Sequence, residues 1–150
     1  MSATPTQASI AIKIDGETVQ CQPGETIIQA ADRHGVYIPR FCYHDALSVV
    51  ANCRMCLVEV AKAPKALPAC ATTVSADMEV LTQSKKTRDA QKAVMQFLLV
   101  NHPLDCPICD QGGECDLQDV AMGFGEGVSK FTGKKRAVKD ENLGPFIATE

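Results

Sequence analysis

Tryptophan is absent from the 150-residue chain and tyrosine occurs only twice. Basic residues gather in one short run, Lys134, Lys135, Arg136 and Lys139, on a chain of net charge −3. A nucleic-acid binder normally needs a broad basic face, so that class is set aside and the run is read as a solvated or partner-facing stretch. Long apolar runs are also missing. Phe97–Val100 stops after four residues, against the roughly 20 that a membrane-spanning helix needs. The polar stretch Met1 to Ser9 has no signal-peptide core, which leaves the chain in the cytoplasm or an equivalent compartment. No phosphate loop or dinucleotide fingerprint occurs, because Gly123, Gly125 and Gly127 follow no strand, so a nicotinamide cofactor has to be handled elsewhere.

What the chain has instead is cysteine. Eight cysteines without an export signal point away from disulfides, since reducing compartments keep thiols free for metals. With 45% hydrophobic residues the chain can bury one modest core and a smaller appendage.

Residues 1–8 are small and polar and read as a flexible tail. Ile10, Ile12 and Ile14 alternate with Ala11 and Lys13, Asp15-Gly16 turns the chain, and Val19 and Cys21 resume the alternation. That is a hairpin signal. After Pro23-Gly24, Thr26 caps a short helix carrying Ile27, Ile28, Ala30 and Ala31, which Gly35 closes. Residues 36–56 have no period yet hold three cysteines, which predicts a long loop ordered by a ligand. Strands are expected at Leu57–Val60, Leu67–Val74 and Met78–Leu81, then a helix from Ser84 to about Asn101 that His102-Pro103 stops. A short helix around Asp116–Met122 and a Gly- and Lys-rich tail complete the chain. The reading is α+β, with divisions at 1–8 (tail), 9–82 (sheet and helix), 83–123 (helix and cysteine loop) and 124–150 (C-terminal tail).

Cys42, Cys53, Cys56 and Cys70 form C-x10-C-x2-C-x13-C. The close pair lets two thiolates reach one small centre, and the distant members close the cage only if folding delivers them. Plant-type ferredoxins hold a binuclear cluster this way with a shorter first gap, C-x4-C-x2-C. A zinc held by four thiolates is the competing reading, although zinc ribbons usually offer two close pairs. Arg40 and Arg54 flank the set, where guanidinium groups would favour a reduced cluster.

His102, Cys106, Cys109 and Cys115 form H-x3-C-x2-C-x5-C, four donors within fourteen residues. Gly112 and Gly113 let the backbone approach a bulky tetranuclear core. Three other readings stand beside it: His102 as a helix cap, a zinc with three cysteines and one histidine, and Cys106-Pro107-Ile108-Cys109 as a dithiol motif. The last normally opens a helix rather than following one. Cys21 reads as a small buried hydrophobe, and His34 and His44 as solvated or capping.

The strings FCYHDALSVVANCRMCLVEV, NHPLDCPICDQGGECDLQD and KKRAVKDENLGP resemble the large iron-sulfur subunit of NADH:quinone oxidoreductase, respiratory complex I, over about residues 10–149. The resemblance implies a ferredoxin-like beta-grasp domain with a 2Fe-2S cluster on Cys42, Cys53, Cys56 and Cys70. A 4Fe-4S cluster on His102, Cys106, Cys109 and Cys115 would follow it. It further implies an electron relay within an NADH dehydrogenase: a flavin- and NADH-binding subunit before it, a downstream iron-sulfur subunit after it, and quinone beyond. The chain itself would carry no substrate site. Membrane association would come only through the complex, as part of a peripheral arm at the cytoplasmic face of the plasma membrane or the matrix side in mitochondria. Family members continue into a further cysteine-rich segment and a large molybdopterin-enzyme-like domain, and this sequence ends ahead of both. NAD-linked hydrogenases and formate dehydrogenases have equivalent relay subunits. A zinc-stabilised interaction module is the reading from a different class.

Overall fold

The computed structural model describes residues 9–135, 141–142, 144–146 and 148–149. The expected tail, residues 1–8, lies outside the described residues, as do Arg136 and Lys139 of the basic run. Two compact units are present, Met1–Val94 and Met95–Glu150.

In the first unit, β1 (Ile10–Ile14) and β2 (Glu17–Cys21) pair antiparallel with Ile12 opposite Val19. Asp15 and Gly16 both take positive φ, 49° and 93°, as the tight turn of a two-residue hairpin requires. The period of two sends Ile12, Ile14, Val19 and Cys21 into the core and their neighbours outward. α1 (Ile27–Arg33) starts with a Thr26–Gln29 capping box and contributes Ile27, Ile28, Ala30 and Ala31 to the same core. Gly35, at φ 73°, ends it. β3 (Leu57–Val60), β4 (Leu67–Pro68) and β5 (Glu79–Leu81) complete a five-stranded sheet of order β2-β1-β5-β3-β4. Only β1 and β5 run parallel; the other pairs are antiparallel. One helix on a mixed sheet is the α+β, beta-grasp arrangement expected.

The extended piece expected over Leu67–Val74 is cut short. After Pro68 the chain turns, Thr72 donating to the Pro68 carbonyl at 2.8 Å. The turn brings the Ala69 and Thr72 carbonyls against the Ile28 and Ile27 amides, at 3.1 and 2.9 Å. These amides at the start of α1 have no partner within the helix, and a continuous strand could not reach them.

α2 (Lys85–Leu99) is anchored to the sheet through its first half. Thr87, fully buried, donates to the Leu81 carbonyl at 2.7 Å and accepts from the Glu59 amide at 2.8 Å. The Gln91 amide reaches the Leu57 carbonyl at 3.2 Å. The second unit contains the end of α2, the cysteine loop, α3 (Asp116–Phe124), and a small pairing of β6 (Glu141–Asn142) with β7 (Ala148–Thr149).

A pair of hydrogen bonds closes the first unit across a long sequence span. The Asp15 carboxylate, in the β1–β2 turn, accepts from the Thr82 amide at 2.7 Å and also from its hydroxyl. Hydrogen bonds to a charged group are worth about 1.5–3 kcal/mol each. Asp15→Ala, which removes both bonds, should therefore lower unfolding stability by about 3 kcal/mol, and Thr82→Val, which keeps the amide donor, by about 1.5 kcal/mol. Urea denaturation measures both, and equal losses would show that the hydroxyl bond carries the whole effect.

Candidate metal centres

Two segments deliver the first four cysteines. Cys42 and Cys53 lie on the loop that follows α1, Cys56 directly precedes β3, and Cys70 sits in the turn after β4. The Ala69 amide donates to the Cys56 carbonyl at 2.9 Å, which brings Cys56 and Cys70 into the same corner. Both are buried, whereas Cys42 and Cys53 are partly exposed. Ala51 and Arg54 hold positive φ of 54° and 60°, bending the backbone on either side of Cys53. The Cys53 amide donates to the Cys42 sulfur at 3.5 Å.

The thiols feel one another. Burial, a hydrogen bond with Cys56 and the nearby charges of Cys56, Cys42 and Cys53 push the Cys70 thiol up to about 12. Burial would also raise Cys53, but backbone hydrogen bonds from Met55, Cys42 and Phe41 to its sulfur outweigh it and its pKa is lowered. All four expected donors are thus brought together. Among the described residues no three His, Cys, Asp or Glu side chains are drawn tightly enough to chelate one metal ion.

Arg40 is not a free cation beside this group. Its guanidinium pairs with Asp32 at 2.6 Å and lies 5.6 and 5.7 Å from the Tyr37 and Tyr43 ring centres. It fastens the loop to α1, and Asp32 offsets the charge that the sequence alone assigned to it. Tyr43 donates to Asp45 at 2.6 Å, and burial together with that carboxylate raises its hydroxyl to about 12.

The second set lines an open cavity of about 950 Å³ within the second unit, shared by Leu99, His102, Cys106, Cys109, Gly112 and Cys115. The Asp105 carbonyl accepts from the Ile108 and Cys109 amides at 2.9 and 2.8 Å, winding the loop into a turn around Cys106. From α3, the Gln118 side chain accepts the Gly113 amide at 3.1 Å. Cys115 is the N-cap residue of α3, and its sulfur makes no bond to the first amides of that helix. His102 is exposed, and among the described residues it makes no hydrogen bond to the end of α2. Cys106 and Cys109 open no helix, unlike a dithiol motif.

Cys21 is in the core with 2% exposure, and burial, then Glu25, raises its thiol. His34 caps α1, its ring 3.0 Å from the Ala30 carbonyl, and His44 accepts the Ala46 amide at 3.1 Å. None of the three joins a donor set.

Both donor sets fall within known iron-sulfur sequence patterns. Residues 7–85 match the model of the 2Fe-2S iron-sulfur cluster binding domain. The chain belongs to that family. Residues 91–129 match the NADH-ubiquinone oxidoreductase-G iron-sulfur binding region, of the 4Fe-4S type. The 2Fe-2S domain is thus followed by a 4Fe-4S binding region, and the zinc readings give way to clusters.

The NADH-ubiquinone oxidoreductase 78 kDa subunit of Neurospora crassa is 54% identical over 95% of this chain and 19% of its own length. The NADH-ubiquinone oxidoreductase 75 kDa subunit of Reclinomonas americana is 52% identical over 91% of this chain and 20% of its own length. The chain therefore spans about one fifth of the curated relatives it matches. A crystal structure of an NAD+-reducing NiFe hydrogenase in the H2-reduced state aligns with a TM-score of 0.80 at 27% identity, covering 92% of this chain and 58% of that one.

The second loop has no slack at Gly112. A Cβ there would meet the Cys106 carbonyl oxygen at 2.5 Å and that of Cys109 at 3.1 Å. Gly112→Ala must open the turn that spaces these two thiols. It should reduce bound iron by about four atoms per chain while sparing the 2Fe-2S domain. Iron and acid-labile sulfide assays of anaerobically loaded protein measure this; unchanged iron would show that the loop relaxes around the methyl group.

Proposed function

We propose that this chain is the iron-sulfur relay portion of an NADH:quinone oxidoreductase, taking electrons that a flavin-bearing subunit has removed from NADH and passing them toward quinone. The observation that supports the reading is that one chain has two sets of four donors, each inside its own iron-sulfur region, the Cys53 amide donating to the Cys42 sulfur in the first and all four donors of the second lining one cavity. Cys42, Cys53, Cys56 and Cys70 are assigned to the 2Fe-2S cluster, and His102, Cys106, Cys109 and Cys115 to the 4Fe-4S cluster. The clusters, when bound, supply one-electron redox chemistry. The chain's own residues bind, space and insulate: Cys56 and Cys70 from the buried side, Cys42 and Cys53 from the partly exposed one.

The partition 9–82, 83–123 and 124–150 is kept as a division by donor set, one set falling in each of the first two segments, whereas the compact units divide after Val94 because the first half of α2 packs with the sheet. Partners are the flavin- and NADH-binding subunit and a downstream iron-sulfur subunit. No described helix is long and apolar enough to cross a membrane, so attachment to the membrane is assigned to the assembled complex, at the cytoplasmic or matrix face. The hydrogenase neighbour favours a second reading, the equivalent relay of an NAD-linked hydrogenase. The greater identity to the oxidoreductase subunits, 54% against 27%, places it second.

Anaerobic expression followed by iron, sulfide and electron paramagnetic resonance measurements tests the assignment. About six irons and six sulfides per chain, with two distinguishable signals after dithionite reduction, are expected. Cys70→Ser should remove the 2Fe-2S signal alone and His102→Ala should alter the other alone. Zinc without sulfide would overturn the relay function.

A further inference from the structure

α2 ends without a device of its own. Its last turn contains no basic residue, and Val100 and Asn101 follow where glycine commonly closes a helix. The final carbonyls of a helix lack internal partners and carry the negative end of its dipole. Here the Leu99 carbonyl accepts a 2.5 Å hydrogen bond from the Lys135 ammonium, which comes from 36 residues further along the chain. Lys135 is half-buried, with its ammonium 6.0 Å from the Phe131 ring centre. Gln96, one turn earlier in α2, donates to Glu126 at 2.7 Å, and Glu126 pairs with Lys130 at 3.2 Å. The segment from Glu126 to Lys135 is thereby fixed to the last turn of α2 at two points.

That turn opens directly onto the second donor set: Leu99 and His102 line the same cavity as Cys106, Cys109 and Cys115. Three thiolates and a neutral imidazole around a 4Fe-4S core give a formally singly anionic centre that becomes doubly anionic when it gains one electron. Cys115 stands at the N-terminal, positive end of α3. The end of α2 is unfavourable, and Lys135 is the cation placed on it.

We propose that Lys135 is a positioning residue for the second centre: by capping α2 at Leu99 it fixes the approach to His102 and neutralises the helix end that would oppose reduction. The proposal rests on the assignment of His102, Cys106, Cys109 and Cys115 as ligands. A neutral side chain of similar length at this position leaves the stem packed but removes the charge, which disfavours the reduced state more than the oxidised one.

The test is a redox titration, followed by electron paramagnetic resonance, of anaerobically loaded wild type, Lys135→Met and Lys135→Arg, with the 2Fe-2S signal as internal reference. In Lys135→Met the reduced-to-oxidised ratio of the second cluster at a fixed potential should fall roughly two- to five-fold, the range set by charges at helix ends. Lys135→Arg should restore it, and the 2Fe-2S midpoint should not move. Loss of the second cluster from Lys135→Met with retention in Lys135→Arg would equally support the role. An unshifted potential in Lys135→Met, or the same change in both variants, overturns it. A wild-type chain with a 2Fe-2S signal alone would instead overturn the ligand assignment on which the proposal rests.

Discussion

The two hydrogen bonds from the first amides of α1 to the Thr72 and Ala69 carbonyls support the geometry of the first centre. They satisfy donors that the helix cannot satisfy for itself. In doing so they hold the turn carrying Cys70 against the core, and the Ala69 amide passes the constraint to Cys56 at the start of β3. A loop rich in thiols has no apolar face with which to fold itself, so its position has to be imposed by neighbours that do. α1 is such a neighbour, with four buried side chains on the sheet. On its other flank Asp32 holds Arg40, and Arg40 holds the tyrosines on either side of the Cys42 segment.

The second centre relies less on burial. His102 and Cys109 are exposed, and short-range backbone turns set the loop instead. Such turns can be tight only where a side chain is absent, which is why Gly112 sits under two cysteine carbonyls. The negative end of α2 beside this loop is met by a distant lysine, bonded to the Leu99 carbonyl.

Much of the first unit was legible because its signals are local. Alternation at Ile10–Ile14, two positive-φ positions at Asp15-Gly16, and a Thr26–Gln29 box each act within a few residues. The segment after Pro68 was less legible: its apolar residues suit a strand, but the unsatisfied amides of α1, some forty residues away, made a turn the better solution. The charge of Arg40 was misjudged for the same kind of reason, since its partner Asp32 is on a helix the loop packs against. Lys135, within a run read as solvated or partner-facing, shows the limit most clearly. The missing cap at the end of α2 could be noticed in the sequence, but nothing local says which cation fills it.

The sequence by itself determined the donor types, their spacing and hence that metal is held, because thiols and imidazole bind metal by identity and C-x2-C pairs fix two ligands within one turn of chain. It also determined the hairpin and the helices, whose periods and caps are properties of neighbouring residues. The tertiary structure decided which sulfurs are buried, which amides donate to Cys42 and Cys53, and which charges stand beside each donor set. These quantities depend on dielectric and on distances between residues far apart in sequence, and packing alone sets both.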